Sequence, residues 1–114
     1  MQVIEAFSAL ASPSRLAIYR LLVKAGPEGM RSGDIAEAIA APANTTSSHL
    51  AVLSRAGLAS SRRDSRAIYY AADYDRMRDL LAFLVEDCCG GRAEICAPLA
   101  DVVQRACCVG AGRA

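Results

Sequence analysis

A chain of 114 residues has room for one small domain and little else. With 54% hydrophobic residues, 5% aromatics and no Trp, the core has to be built from Leu, Ile, Val and Ala, and so small a domain is expected to complete it by dimerising. A net charge of +1 excludes a globally basic nucleic-acid binder, and with no run of 18 apolar residues and no basic start followed by a long apolar stretch the chain is expected to be soluble and cytoplasmic.

Charge is unevenly spread, and the distribution says more than the sum. Residues 1–72 carry 8 Lys and Arg against 5 Asp and Glu, whereas residues 73–114 carry 5 against 7. Arg62, Arg63 and Arg66 crowd one short stretch, diluted only by Asp64. That is a local phosphate-binding tip.

Taken in order, Val3, Ile4, Phe7 and Leu10 recur at helical spacing. Ser12-Pro13 signals a second helix, a capping hydroxyl followed by Pro at the first helical position. This helix carries Leu16, Tyr19 and Leu22 or Val23 on one face and closes at Gly26-Pro27. Met30-Arg31 is expected as a very short strand that pairs with a later hairpin. Ser32 is the expected cap of the next helix, with Asp34 in its first turn and Ile35, Ala36 and Ile39 buried. After the turn AAPA, Asn44 is the expected cap of a helix that Leu50 and Leu53 anchor to the core. Thr45, Ser48, Val52 and Arg55 then face largely the other way. Gly57 ends this helix.

Residues 58–63 and 66–72 read as strands joined at Asp64-Ser65, with Ile68 and Tyr70 on one face and Tyr69 on the other. Asp73 caps a last long helix whose apolar stripe is Leu80, Leu81, Leu84 and Val85, and which ends at Cys88-Cys89-Gly90-Gly91. Pro98 opens a shorter helical pattern that runs to about Ala106. The order predicts a mainly α (α+β) fold, a winged helix-turn-helix with a two-stranded β-hairpin wing. Residues 1–89 are expected as the DNA-binding and dimerisation domain and residues 90–114 as a cysteine-containing tail.

A helix that reads bases needs short polar side chains on its leading turns. Asn44, Thr45, Ser47, Ser48 and His49 meet that need, and Arg62, Arg63 and Arg66 would hold phosphates from the hairpin. A polar turn that merely faces water is the blander account. The arginine hairpin following Gly57 tips the balance towards groove reading. His49 has no Cys, Asp or second His at ligand spacing on its helix, so contact with DNA or a local hydrogen bond outweighs a metal or catalytic role.

All five cysteines lie from Cys88 onward. An odd number confined to one end does not suit a secreted disulfide scaffold. Cys88, Cys89 and Cys96, with no neighbouring His, suit a soft, thiophilic ion. Gly90-Gly91 lets the backbone bend so that three sulfurs can reach one centre, the pyramidal arrangement of trivalent arsenic or antimony. Tetrahedral zinc would want a fourth ligand, for which Cys107 and Cys108 are available. Cys88 and Cys89 follow Glu86 and Asp87 at a helix C-terminus, a poor setting for an enzymatic thiolate, so no enzyme is expected.

These residues resemble the ArsR/SmtB family of metal-responsive repressors from about residue 5 to residue 89. The carrying segments are ALASPSRLAIYRLL, SGDIAEAI, NTTSSHLAVLSRAGL and RDSRAIYYAA. The resemblance implies a homodimer joined through the first and last long helices, bound to an inverted repeat in double-stranded operator DNA and released by an inducer. Many arsenic-responsive members carry C-x-C before the recognition helix, where this chain has SGDIAEAI. It is more similar to members with a C-C…C site after the last helix, a pattern that Cys88, Cys89 and Cys96 match. Arsenite or antimonite, As(III) or Sb(III), is therefore the expected inducer. Methylated trivalent arsenic, Cd(II), Pb(II), Zn(II) or thiol oxidation stand as alternatives on the same fold, and a thiol-dependent oxyanion reductase ranks lower.

Overall fold

The computed structural model describes residues 3–85, 97–99, 101–102 and 104. In order these form α1 (Val3–Leu10), α2 (Pro13–Ala25), β1 (Met30–Arg31), α3 (Ser32–Ile39), α4 (Ala43–Arg55), β2 (Ala59–Asp64), β3 (Ala67–Ala72) and α5 (Tyr74–Val85). Two units are distinguished, Met1–Arg78 and Asp79–Ala114, and α5 begins in the first and continues in the second. In the second unit Leu81, Phe83, Leu84 and Val85 of α5 are exposed, as are Leu99 and Val102, while Leu80 is buried. Residues 97–99, 101–102 and 104 are helical. No helix among the described residues is long and apolar enough to cross a membrane.

In the first unit the helices pack around a core that Ile18, Leu22, Ile35, Leu50, Leu53 and Leu58 fill without solvent exposure. Complete burial of a Leu or Ile side chain stabilises by about 1.5–3 kcal/mol, so these six aliphatics dominate the stability of the helical layer. One antiparallel sheet, in the order β1-β3-β2, lies beside them. Met30 pairs with Tyr70 and Arg31 with Tyr69, which makes β1 the third strand of the wing, as the short Met30-Arg31 strand required.

Helix ends follow local chemistry where a side chain can reach. Ser12 caps α2 by accepting from Arg15 N at 3.4 Å, with Pro13 in first position. Asp73 caps α5 by accepting from Arg76 N at 2.9 Å. Tyr74 Oη then donates to Val23 O at 3.0 Å, fastening the start of α5 to the end of α2. Gly26 and Gly57 close their helices at φ 91° and 81°.

Three boundaries differ from expectation. Ser32 is the first residue of α3 rather than its cap, because Arg31 is held in extended conformation by its strand pairing and takes the cap position without a side-chain bond. Asn44 likewise lies inside α4. Pro42 at φ −62°, ψ 153° is the cap residue, and its carbonyl accepts from both Thr46 N and Thr46 Oγ1 at 3.0 Å. The hairpin turn is Ser65-Arg66, one residue later than expected, since Asp64 stays paired with Ala67. Ser65 at φ 59° supplies the positive angle that a two-residue hairpin turn needs. The buried face of α2 is also rotated. Ile18, Tyr19 and Leu22 are inside, whereas Leu16 is 44% exposed.

Ala40 ends α3 at φ 55°, in the left-handed region that a β-carbon disfavours. Ala40→Gly is expected to raise stability by about 0.5–1 kcal/mol, read as a higher midpoint in urea with unchanged slope. Tyr19 gives a pH prediction. Its hydroxyl is buried without a hydrogen-bond partner among the described residues. Burial first, then the charge of Asp73 and the proximity of Tyr74, push its pKa from 10.0 up to about 12. A folded-state value above the unfolded one favours the native state fully below pH 10 and is lost as pH rises towards 12. Tyr19→Phe should remove that part of the alkaline loss, on the order of 2 kcal/mol, in denaturant titrations at successive pH values.

Candidate nucleic-acid interface

The turn Ala40-Ala41-Pro42 sets α3 and α4 as a helix-turn-helix. Ala40 N donates to Glu37 O and Ala41 N to Ala36 O, so the chain leaves α3 with its last carbonyls satisfied. The inward face of α4 is Thr46, Leu50 and Leu53, of which the most exposed is Thr46 at 1%. Asn44, Thr45, Ser47 and Ser48 are all exposed, with Ala51 and Arg55 further along. The first two turns of α4 therefore present hydroxyls and an amide to solvent from a helix whose other side is locked. Asn44 Oδ1 accepts from Thr45 N at 2.9 Å, which leaves its amide nitrogen outward as a donor.

His49 is placed differently from these four. It is half-buried, and its Nδ1 lies 3.5 Å from Nη1 of Arg15 on α2. Of the two roles open to it, the local bond is present in the structure, and one ring nitrogen remains for another partner.

In the wing, Arg62, Arg63 and Arg66 are all exposed, yet they are unequal. Arg62 Nη2 donates to Glu28 O at 2.8 Å, Nη1 lies 3.7 Å from Asp64 Oδ2, and the guanidinium sits 4.6 Å from the centre of the Tyr69 ring. It ties the sheet to the loop before β1. Arg63 and Arg66 make no hydrogen bond or ion pair among the described residues. Arg66 shares with Arg31, Ser32 and Gly33 an open hollow of about 600 Å³ between the start of α3 and the turn of the wing. Arg31 was not foreseen as part of the site. Only the pairing of β1 with β3 brings it near Arg66, and no spacing in the sequence announces that. Two guanidinium groups in one hollow suit a phosphate oxygen.

Cys88, Cys89 and Cys96, the expected metalloid ligands, lie outside the described residues, as do Cys107 and Cys108. Among the described residues no three His, Cys, Asp or Glu side chains group as metal ligands.

A winged helix-turn-helix is thus the class of the fold. Residues 10–62 match the family model for a helix-turn-helix domain. Nodulation protein NolR of Rhizobium meliloti is 38% identical over 77 residues, 68% of this chain, which spans 61% of that protein's length. The homodimeric winged helix-turn-helix DNA-binding domain of Mb0332 from Mycobacterium bovis, a possible ArsR-family regulator, superposes with a TM-score of 0.61 at 30% identity, covering 75% of this chain and 80% of that one. A structure described as a possible transcriptional regulator for arsenical resistance gives a TM-score of 0.64 at 28% identity, over 85% of this chain and 95% of that one. The chain belongs to the ArsR family of winged helix-turn-helix transcriptional regulators.

The unequal arginines give a paired prediction. Arg62→Ala should lower stability by about 1 kcal/mol through loss of the Glu28 bond and the Tyr69 contact. Arg66→Ala should leave the melting temperature unchanged, weaken binding to DNA of any sequence, and reduce the slope of log affinity against log salt by about 1.

Proposed function

We propose that this regulator represses transcription as a homodimer on an inverted-repeat operator, and that As(III) or Sb(III) bound by Cys88, Cys89 and Cys96 releases it. The observation that carries the DNA half is the division of α4 into a buried face at Thr46, Leu50 and Leu53 and an exposed polar face at Asn44, Thr45, Ser47 and Ser48. A helix seated this way can enter the major groove without giving up core contacts. His49 adds a ring nitrogen from the second turn, and Arg63 and Arg66 hold flanking phosphates.

Dimerisation is supported by apolar surface left exposed among the described residues. Ile4 of α1 is 82% exposed, and in the second unit Leu81, Phe83, Leu84 and Val85 of α5 are exposed. Burying such side chains against a second copy is the economical way to remove them from water. The homodimeric neighbour Mb0332 supports the same reading.

The inducer half rests on ligand chemistry. Three thiols, two of them adjacent and followed by Gly90-Gly91, match the trigonal demand of a trivalent metalloid, and the sequence supplies no His to make a borderline zinc site near them. A structural neighbour described as a possible transcriptional regulator for arsenical resistance favours arsenic within this set. Coordination would replace protons on sulfur in the chain that follows α5 in sequence, and in a dimer joined through the terminal helices it would change the separation of the two recognition helices. Half-sites lie about one helical turn apart, so a small rotation disengages both together. Linkage requires operator DNA to weaken metalloid binding by the same factor.

The test is fluorescence anisotropy of labelled DNA selected from random sequence, with reduced wild-type chain and with Cys88→Ser, Cys89→Ser and Cys96→Ser. Arsenite should release the wild type and none of the variants. Release of Cys96→Ser by a methylated trivalent arsenical but not by arsenite would move the inducer to the methylated form, which needs only two sulfurs. Failure of the wild type to bind any selected DNA would sink the whole reading.

A further inference from the structure

Arg15 sits at the third position of α2 and touches three helices. Its backbone N–H meets the cap oxygen of Ser12. Its Nε donates to Ala9 O at 2.6 Å, satisfying one of the last carbonyls of α1. Its Nη1 lies 3.5 Å from His49 Nδ1 on α4. Among the described residues the guanidinium has no carboxylate partner, and Arg15 is half-buried. Beneath it is a small cavity of about 160 Å³, which Arg15 lines together with Glu5, Ser8, Val52 and Arg55.

The third contact has a chemical consequence. A guanidinium carries five N–H donors and no acceptor. It can bond an imidazole nitrogen only through that nitrogen's lone pair. Nδ1 of His49 is therefore the acceptor, and in the neutral ring the hydrogen resides on Nε2. We infer that Arg15 is a positioning residue that fixes His49 as an Nε2–H donor and orients its ring from the second turn of α4. The consequence for DNA rests on the reading of α4 as the groove-facing helix, whereas the ring state does not.

On that reading the interaction determines specificity. A fixed donor suits the acceptors of the major groove, purine N7, guanine O6 and thymine O4. It is mismatched to the amino groups of adenine and cytosine. A ring free to exchange tautomers could also accept from those amino groups. Arg15 also ties the ring to the last turn of α1 through Ala9 O, so any shift of α1 is felt at a base-reading side chain. No base contact by Arg15 itself is required.

His49 is the single histidine of the chain, so its ring nitrogens are identified without assignment. Long-range ¹H–¹⁵N spectra of the full-length, labelled chain, at a pH where the ring is neutral, should show a protonated Nε2 and an unprotonated Nδ1. In Arg15→Met, which keeps the bulk and removes every donor, both resonances should move towards each other as the tautomers mix. Arg15→Gln retains an N–H donor and should fall between the two. Circular dichroism confirms that the variants are folded, a property that a merely structural role would also preserve while leaving the ring spectrum unmoved. Identical ring shifts in wild type, Arg15→Met and Arg15→Gln would overturn the assignment, and so would a protonated Nδ1 in the wild type. In selection from random DNA, Arg15→Met should relax discrimination roughly tenfold at one position of each half-site. It should have no further effect in a His49→Gln background, where an amide supplies its own donor. Additive losses would overturn the coupling. If the wild type selects no DNA, the proposed function falls while the ring spectra still decide the role of Arg15.

Discussion

Everything outward on α4 depends on how its inward face is held. Leu50 and Leu53 are completely buried, and Thr46 joins them with its hydroxyl turned back to Pro42 O at 3.0 Å. Because that polar atom is satisfied by the residue that starts the helix, a threonine can occupy a core position at little cost. The helix is thereby clamped along both turns that carry Asn44, Thr45, Ser47 and Ser48. A surface made of short side chains has little reach of its own, so positional accuracy has to come from the backbone that bears it. A core contact behind each polar position is the cheapest source of that accuracy.

The wing is organised on the same principle with different chemistry. Arg62 is spent inward on Glu28 O and the Tyr69 ring, and this holds the sheet against the loop that leads into β1. Strand β1 in turn holds Arg31 at the entrance to α3. The outward cations, Arg63 and Arg66, project from a hairpin made rigid by its neighbours. One charge of three is used as structure so that the other two have fixed places. Arg15 does for the helical layer what Arg62 does for the sheet, joining α1, α2 and α4 through one planar group. Arg suits both tasks, since its donors lie in a fixed plane and Lys would offer only a point charge.

Much of this was legible in the residues alone. Ser12-Pro13, Asp73 and Gly57 are local signals whose physics lies within a few residues, and each marks its helix end where it was expected. The helix-turn-helix and the hairpin followed from periodicity and from the crowding of arginines. The exposed polar run on α4 was legible too, because Leu50 and Leu53 define the opposite face by spacing. Ser32 and Asn44 were misplaced by one or two positions for a common reason. Each has good capping chemistry, but the chain entering the helix was already constrained, by strand pairing at Arg31 in one case and by Pro42 in the other.

The sequence by itself determined the class of fold, the order of elements, the helix whose polar face is outward and the confinement of all five thiols to one end of the chain. These depend on periods, caps and residue chemistry that act over a few positions. Tertiary structure alone decided that Arg62 is inward while Arg63 and Arg66 are outward, that Arg31 joins Arg66 across a hollow, and that His49 is held by Arg15. Those partners are 34 or more residues apart in all three cases. Neither charge nor spacing says which distant carbonyl or ring a guanidinium will find, because that is set by how helices and strands are brought together by a core whose apolar contacts are not directional.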